Sequence, residues 1–274
     1  MYSPRVAALL ADPRSRITVL TGAGVSAESG IPTFRGPEGY WTVGSSVYTP
    51  REMATRAMFR RNPEAVWSWY LYRFTVCLEA QPNRGHAALA AMERRLGDRF
   101  TLITQNIDGL HLRAGNSPER TLQIHGSIRH VRCADGCARE LLPLDPRLAR
   151  RRPSPELARD ELGILRCRGC GGWLRPHVLW FDEYYDEEYY RAESAVAAAA
   201  RTDVLVIAGT SGATTLPNHV AAVAHGRGAV VLDINLEPSP FSALAGSTPG
   251  GGFIRARSSE ALAELAGLCG AAAI

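Results

Sequence analysis

The chain contains no lysine: each of its 31 basic residues is arginine, a bias that genomic base composition suffices to explain. It also lacks a strong charge of either sign. The formal net charge of +4 over 274 residues is spread along the chain, which argues against a nucleic-acid stripe or a basic membrane-surface helix. No apolar run approaches the ~20 residues needed to span a bilayer. The first residues, Met1-Tyr2-Ser3-Pro4-Arg5-Val6, open a helix rather than the charged segment and apolar core of a secretory signal. The expectation is a cytoplasmic protein, in which clustered cysteines suggest metal before disulfide. No internal repeat is visible.

What is present is a glycine-rich stretch, residues 21–36, that follows a short apolar run at 17–20. The run reads as a buried strand, and the glycines let backbone approach an anion at the start of the next helix. Gly22-x-Gly24-x-x-Ala27 fits the dinucleotide fingerprint, although glycines alone also make ordinary tight turns. A standard dinucleotide unit has a second strand and an acidic ribose partner about 20 residues on. Neither follows here, so an ordinary dehydrogenase is disfavoured. Ile31-Pro32-Thr33-Phe34-Arg35 has no role in a generic nucleotide fold.

The length suits one large unit carrying an insertion. Ser3-Pro4 starts a helix to about residue 11, and 37–48 reads as a loop rich in Gly, Ser and Thr. Thr49-Pro50, Asn62-Pro63 and Asn83 start helices over 51–59, 64–79 and 85–96, a small helical insertion. Strands are expected at 100–104, 121–124, 203–208 and 229–234, with helices over 186–201 and 217–225. A further helix runs to residue 268, capped by Ser258 and Ser259, while 142–159 reads as a solvated loop. Alternating strands and helices predict an α/β fold, a parallel sheet covered on both faces with its crevice at the carboxyl ends of the strands.

Cys133-x-x-x-Cys137 and Cys167-x-x-Cys170, with glycines for the tight turns, have the spacing of one tetrahedral zinc. Four thiolates leave no place for a catalytic water, so the metal is structural. Cys77 and Cys269 sit in no motif and read as ordinary apolar-side thiols. Gln105-Asn106-Ile107-Asp108 puts two amides and a carboxylate at a strand end, where they either grip a polar ring or ribose or merely cap a turn. His125-Gly126 ends another strand beside the expected crevice, where an imidazole serves as a general base.

These motifs, in this order, resemble the sirtuins, NAD-dependent protein lysine deacylases. The resemblance covers nearly the whole chain and is carried by Gly22-Ala23-Gly24-x-Ser26-x-x-Ser29-Gly30-Ile31-Pro32-x-Phe34-Arg35, Gln105 to Asp108, His125-Gly126, the four cysteines, Arg175-Pro176-His177-Val178-Leu179-Trp180-Phe181 and Gly209-Thr210-Ser211. It implies a Rossmann-like large part (1–36, 99–128, 176–274) and a small part made of the helical insertion (37–98) and a zinc ribbon (129–175). NAD and acyl-lysine would meet between them. By resemblance Gly22, Ala23, Gly24 and Ser26 border the pyrophosphate, and Gln105, Asn106 and Asp108 hold the nicotinamide-side ribose and carboxamide. Phe34 and Arg35 close over the reacting sugar. His125, with Asn106 and Asp108, forms the catalytic group, and Gly209, Ser211, Asn235, Glu237 and Ser258 line the adenosine end. Val178, Trp180 and Phe181 flank the acyl-lysine.

Tyr70 and Arg73 lie three apart on one helical face. The same spacing occurs in sirtuins of the desuccinylase and demalonylase class, where Tyr-x-x-Arg binds an acidic acyl group and a small residue, here Ala54, leaves room for it. An amphipathic helix with snorkelling side chains is the blander alternative. The resemblance thus implies removal of succinyl or malonyl groups with some deacetylase activity, yielding nicotinamide and O-acyl-ADP-ribose. ADP-ribosyl transfer, or non-catalytic binding of NAD or acyl-lysine, is the competing reading. Asp182, where the family pattern has Gly, and the long 209–217 and altered 256–259 segments depart from it.

Overall fold

The computed structural model describes residues 2–33, 50–149 and 156–271. Phe34, Arg35, the loop expected at 37–48 and the Thr49 helix cap lie outside them. Ser3 caps the helix Pro4–Ala11, its hydroxyl accepting the N–H of Val6, and delivers the chain into β1 (Ile17–Thr21). The other strands are β2 (Phe100–Thr104), β3 (Thr121–Gln123), β4 (Gly126–Cys133), β5 (Leu142–Pro143), β6 (Leu174–Val178), β7 (Val204–Ala208), β8 (Val230–Asn235) and β9 (Gly252–Arg255).

Six of them form one parallel sheet in the order β3-β2-β1-β7-β8-β9. Chain order runs outward from β1 in both directions, the doubly wound pattern, so the β1/β7 boundary is the switch point where a crevice opens. The side chains alternate as the pleat requires. Val19, Leu102, Val206 and Leu232 enter a core shared with the helices Pro4–Ala11, Arg84–Leu96 and Ser258–Leu268. Leu20, Ile103, Ile207 and Val231 enter the opposite core with Ala192–Ala199, Thr215–Gly226 and Pro240–Gly246. Burial on both faces explains why β7 reads as an unbroken apolar run and why β1, apart from its two threonines, does not alternate with exposed polar residues.

A third core lies apart from the sheet. It joins the helix Pro63–Glu79 to the antiparallel sheet β5-β4-β6. Trp67 is fully buried there and donates its indole N–H to the Leu174 carbonyl at 2.7 Å.

Several sequence expectations change. The helix expected over 51–59 is two, Pro50–Met53 and Arg56–Arg61, because Thr55 is extended and caps the second one through Met58 N–H. The helix over 186–201 breaks at Arg191, whose φ of 53° separates Glu187–Tyr190 from Ala192–Ala199. Within 142–159 most described residues are exposed, as expected, but Leu144, Leu148 and Leu157 are buried and anchor the stretch, and a helix begins at Arg159. Ser258 and Ser259 do not cap the last helix. They are its first residues, and the Glu28 carboxylate receives both the N–H and the hydroxyl of Ser259, at 3.2 and 2.6 Å. Among the described residues no helix is long and apolar enough to cross a membrane.

Candidate active site

The carboxyl ends of β1, β2, β7 and β8 are tied together by polar side chains. Gln105 donates its amide N–H to Thr210 Oγ1 at 2.9 Å and to the Thr21 carbonyl at 3.3 Å, and Asn235 donates to the Thr210 carbonyl at 3.0 Å. At the switch point, Gly22 and Gly24 donate their N–H groups to the carbonyls of Ala208 and Gly209. A Cβ on Gly24 would lie 2.7 Å from Gly209 Cα, and Gly209 itself has φ of 61°. The glycines therefore serve the approach of one strand end to another, and what they present to a ligand is bare backbone. Ala23 precedes the short helix Gly24–Ala27 as its cap residue.

Behind this floor is a closed polar network. Ser26 donates to the Asp108 carboxylate at 2.8 Å and accepts the Asn106 amide at 3.1 Å; Asn106 also donates to the Gly22 carbonyl at 3.0 Å. His86 Nδ1 accepts the backbone N–H of Asn83, so its Nε2 carries the proton that reaches Ser26 Oγ at 3.4 Å. Thr21 donates to Thr104 and accepts from His111 Nε2 at 3.0 Å, and the two imidazoles lie 4.7 Å apart. Burial pushes His86 down to about 4, and burial with the neighbouring His86 pushes His111 well below its usual value. Burial raises Asp108, opposed by hydrogen bonds from Leu110 N–H and Ser26. His86 and His111 escaped sequence reasoning as site residues, although the Asn83-x-x-His86 capping box marked where His86 turns inward.

His125 faces the same crevice. Its Nδ1–H donates to the Gln105 carbonyl at 3.0 Å, which fixes the tautomer and leaves the Nε2 lone pair outward. Burial lowers its pKa to about 4, with the Gln105 hydrogen bond opposing the shift, so the imidazole is a neutral base across the physiological range. Tyr185 Oη donates to that Nε2 at 2.8 Å, a partner with no sequence signal because nothing marked residues 184–186 as lying near β3.

The residues expected beside the acyl-lysine gather on the other wall. Trp180 Nε1–H donates to Tyr70 Oη at 2.8 Å, Phe181 N–H donates to the Ala54 carbonyl at 3.0 Å, and Phe59 stacks obliquely on Trp180 at 5.2 Å. Ala54 sits in the break between the two short helices, and Val178 is buried in the same core. Arg73 is 4 % exposed, with its guanidinium 3.4 Å above the Trp69 ring. Burial pushes Tyr70 up to about 12, against the opposing charge of Arg73, so its hydroxyl keeps its proton. Asp182 accepts the N–H groups of Arg56 and Ala57 at 2.7 and 3.0 Å, which makes it a helix cap.

The residues expected at the adenosine end are less gathered. Ser211 is exposed, Ser258 is buried at the start of its helix, and Glu237 pairs at the surface with Arg255 at 3.3 Å. Cys133, Cys137, Cys167 and Cys170 bring their sulfurs within 4.8 Å of one another, with Cys133–Cys170 at 3.6 Å and Cys137–Cys167 at 3.4 Å. Tetrahedral Zn–S bonds of ~2.3 Å imply sulfur separations of ~3.8 Å, and Gly136 and Gly171, at φ of 69° and 74°, supply the turns. The set fits one structural zinc.

A family model, the Sir2 family, matches residues 22–215. The chain belongs to the Sir2 family. It is 42% identical over 260 residues, 95% of this chain and 93% of the relative, to a protein from Pyrobaculum aerophilum named NAD-dependent protein deacylase 2. A Leptospira interrogans protein named NAD-dependent protein deacylase is 38% identical over 256 residues, 93% of each. A solved Sir2 homolog–NAD complex superimposes with a TM-score of 0.78 at 34% identity, covering 97% of this chain and 93% of that one. The Sir2 fold accounts for the sheet, the crevice and the cysteine cluster together.

Proposed function

We propose that this Sir2 protein removes acyl groups from protein lysine while consuming NAD, and that it prefers succinyl or malonyl while retaining some deacetylase activity. The names of its relatives and the shared fold support the reaction class. The acidic preference rests on one observation. Tyr70 accepts the Trp180 indole N–H, which turns the Tyr70 hydroxyl proton toward another acceptor, and Arg73 follows three residues later on the same face. A phenol donor beside a planar guanidinium suits a carboxylate. Because both side chains are buried, an unpaired acyl carboxylate entering there exchanges water for charge-assisted partners.

In this reading Gly22, Ala23, Gly24 and Ser26 border the pyrophosphate, and Gln105, Asn106 and Asp108 hold the nicotinamide end. Gly209, Ser211, Asn235, Glu237 and Ser258 serve the adenosine, and Phe34 and Arg35 cover the sugar. Val178, Trp180 and Phe181 flank the lysine, with Ala54 leaving room for the acyl chain. NAD supplies an electrophilic sugar carbon whose leaving group is nicotinamide. There the acyl oxygen would bond to the sugar carbon as the bond to nicotinamide breaks; His125 Nε2 would take the proton of a sugar hydroxyl whose oxygen adds to the acyl carbon, and water would complete the release of the lysine amine, leaving O-acyl-ADP-ribose. Zinc holds the ribbon and takes no part.

The test is a panel of matched acetyl-, malonyl- and succinyl-lysine peptides with NAD, followed by mass spectrometry of acyl-ADP-ribose. The expected result is product from all three, most from the acidic pair. In Arg73→Met, the succinyl-to-acetyl ratio is expected to fall about 10-fold or more, the loss of a charged hydrogen bond. An unchanged ratio removes the acidic preference, and no product from any peptide removes the deacylase reading. With no lysine in the chain, self-acylation on lysine cannot blur the result.

A further inference from the structure

Residues 179–185 form a strap that joins His125 to the Tyr70 and Ala54 wall. Leu179 N–H donates to the His125 carbonyl at 3.0 Å, Trp180 reaches Tyr70, and Phe181 reaches Ala54. Asp182 caps Arg56–Arg61, and Glu183 holds the buried Arg175 guanidinium, with one contact at 2.8 Å. The strap ends at Tyr185, whose hydroxyl lies 2.8 Å from His125 Nε2 and whose ring packs against the sheet core. Beside it, Thr214 donates to Gln105 Oε1 at 3.2 Å.

His125 does not need Tyr185 for its orientation. The Nδ1–H bond to the Gln105 carbonyl already sets tautomer and ring direction. Nδ1 carries the proton, so Nε2 has one lone pair, and that lone pair must accept the sugar proton in the proposed reaction. The Tyr185 phenol, pushed up to about 12 by burial, is protonated across the physiological range and can meet Nε2 only as a donor. It therefore occupies the acceptor position that the sugar hydroxyl requires.

We propose that Tyr185 is a positioning residue whose hydroxyl competes with the sugar hydroxyl for His125 Nε2, and so sets how long the reaction stays open to returning nicotinamide. The inference rests on the deacylase reading above. Until the base acts, nicotinamide can re-form its bond to the sugar carbon and reverse the first step. When Tyr185 yields Nε2, the sugar proton passes to that nitrogen, the oxygen's electron pair bonds to the acyl carbon as one pair of its carbon–nitrogen double bond moves onto the lysine nitrogen, and no oxidant or reductant enters. Because Tyr185 shares a strap with Trp180 and Phe181, the seating of an acyl-lysine against those two residues bears on when the base is released.

The experiment compares the full chain with Tyr185→Phe, which keeps the ring and its packing. Acetyl- and succinyl-lysine peptides are supplied with NAD and labelled nicotinamide, and nicotinamide exchange and acyl-ADP-ribose are measured side by side. Giving up one neutral hydrogen bond corresponds to roughly a 3- to 10-fold effect. The exchange-to-product ratio is expected to fall by that factor in Tyr185→Phe, and the nicotinamide concentration that halves product formation to rise by a similar one. A ratio within twofold of the parent chain, a raised ratio, or equal loss of both reactions overturns the proposal. If the parent chain itself gives neither exchange nor product, the deacylase reading fails, and Tyr185 loses its premise with it.

Discussion

The two walls of the crevice are built on different principles. The sheet-end wall is a hydrogen-bonded lattice in which Ser26, Asn106, Asp108, Gln105 and His125 are each held by named partners from other strand ends. The wall expected to take the acyl group is a packed aromatic face, in which ring contacts and the Trp180 indole hydrogen bond help position Trp69, Tyr70, Arg73 and Trp180. It carries the buried Arg73 guanidinium, whereas the sheet-end wall carries neutral histidines. On the proposed reading, chemistry that demands a fixed proton inventory sits on the first wall, and acyl selection sits on the second.

The sharpest way to break this contrast is His125→Ala. Loss of a general base is expected to lower acyl-ADP-ribose formation by ~10²–10⁴-fold, while nicotinamide exchange persists, because no step before the base requires it. Equal loss of exchange and product would mean that the imidazole supports the site rather than the proton transfer.

A smaller effect follows from acid. His86 and His125 have folded pKa values of about 4 against a usual 6.5. The unfolded chain therefore takes up protons first as pH falls. Their contribution is fully present above pH 6.5 and is lost between pH 6.5 and 4, at ~1.4 kcal/mol per group per pH unit once well below 6.5. Urea midpoints at pH 7.0, 5.5 and 4.5 should descend in that order; a flat series would show that the histidines do not stay neutral in the fold.

The smallest effect belongs to the strap. Asp182→Ala removes the carboxylate that receives Arg56 and Ala57 N–H and should cost ~1 kcal/mol of stability, read as a lowered urea midpoint. If a peptide panel shows altered acyl preference with no change in midpoint, Asp182 belongs to the acyl wall in function as well as in place.

Most of the sheet-end wall was legible as sequence. Continuous apolar runs marked the central strands, and Gly22, Gln105 to Asp108, His125 and Gly209 stand immediately past strand ends, where a doubly wound sheet has its crevice. The cysteine spacing gave the zinc cluster for a similar reason, since pairs so close in sequence leave few geometries open. The breaks at Thr55 and Arg191 were not legible. Helix propensity is weak, and local caps and the φ of one residue overrode it.

By itself the sequence determined the parallel sheet, the order of the motifs and the chemical types gathered at the crevice, because these depend on periodicity and on spacing within a few residues. Only the tertiary structure decided that Glu28 caps a helix beginning 230 residues later in the chain, with Ser259 as its second residue. It alone turned Asp182 into a cap, closed the His86–Ser26–Asp108 network and set Tyr185 against His125. Such pairings join residues 60 to 231 positions apart. No local rule reaches that far, since their partners are chosen by how the cores pack and by the cost of leaving a buried polar group unpaired.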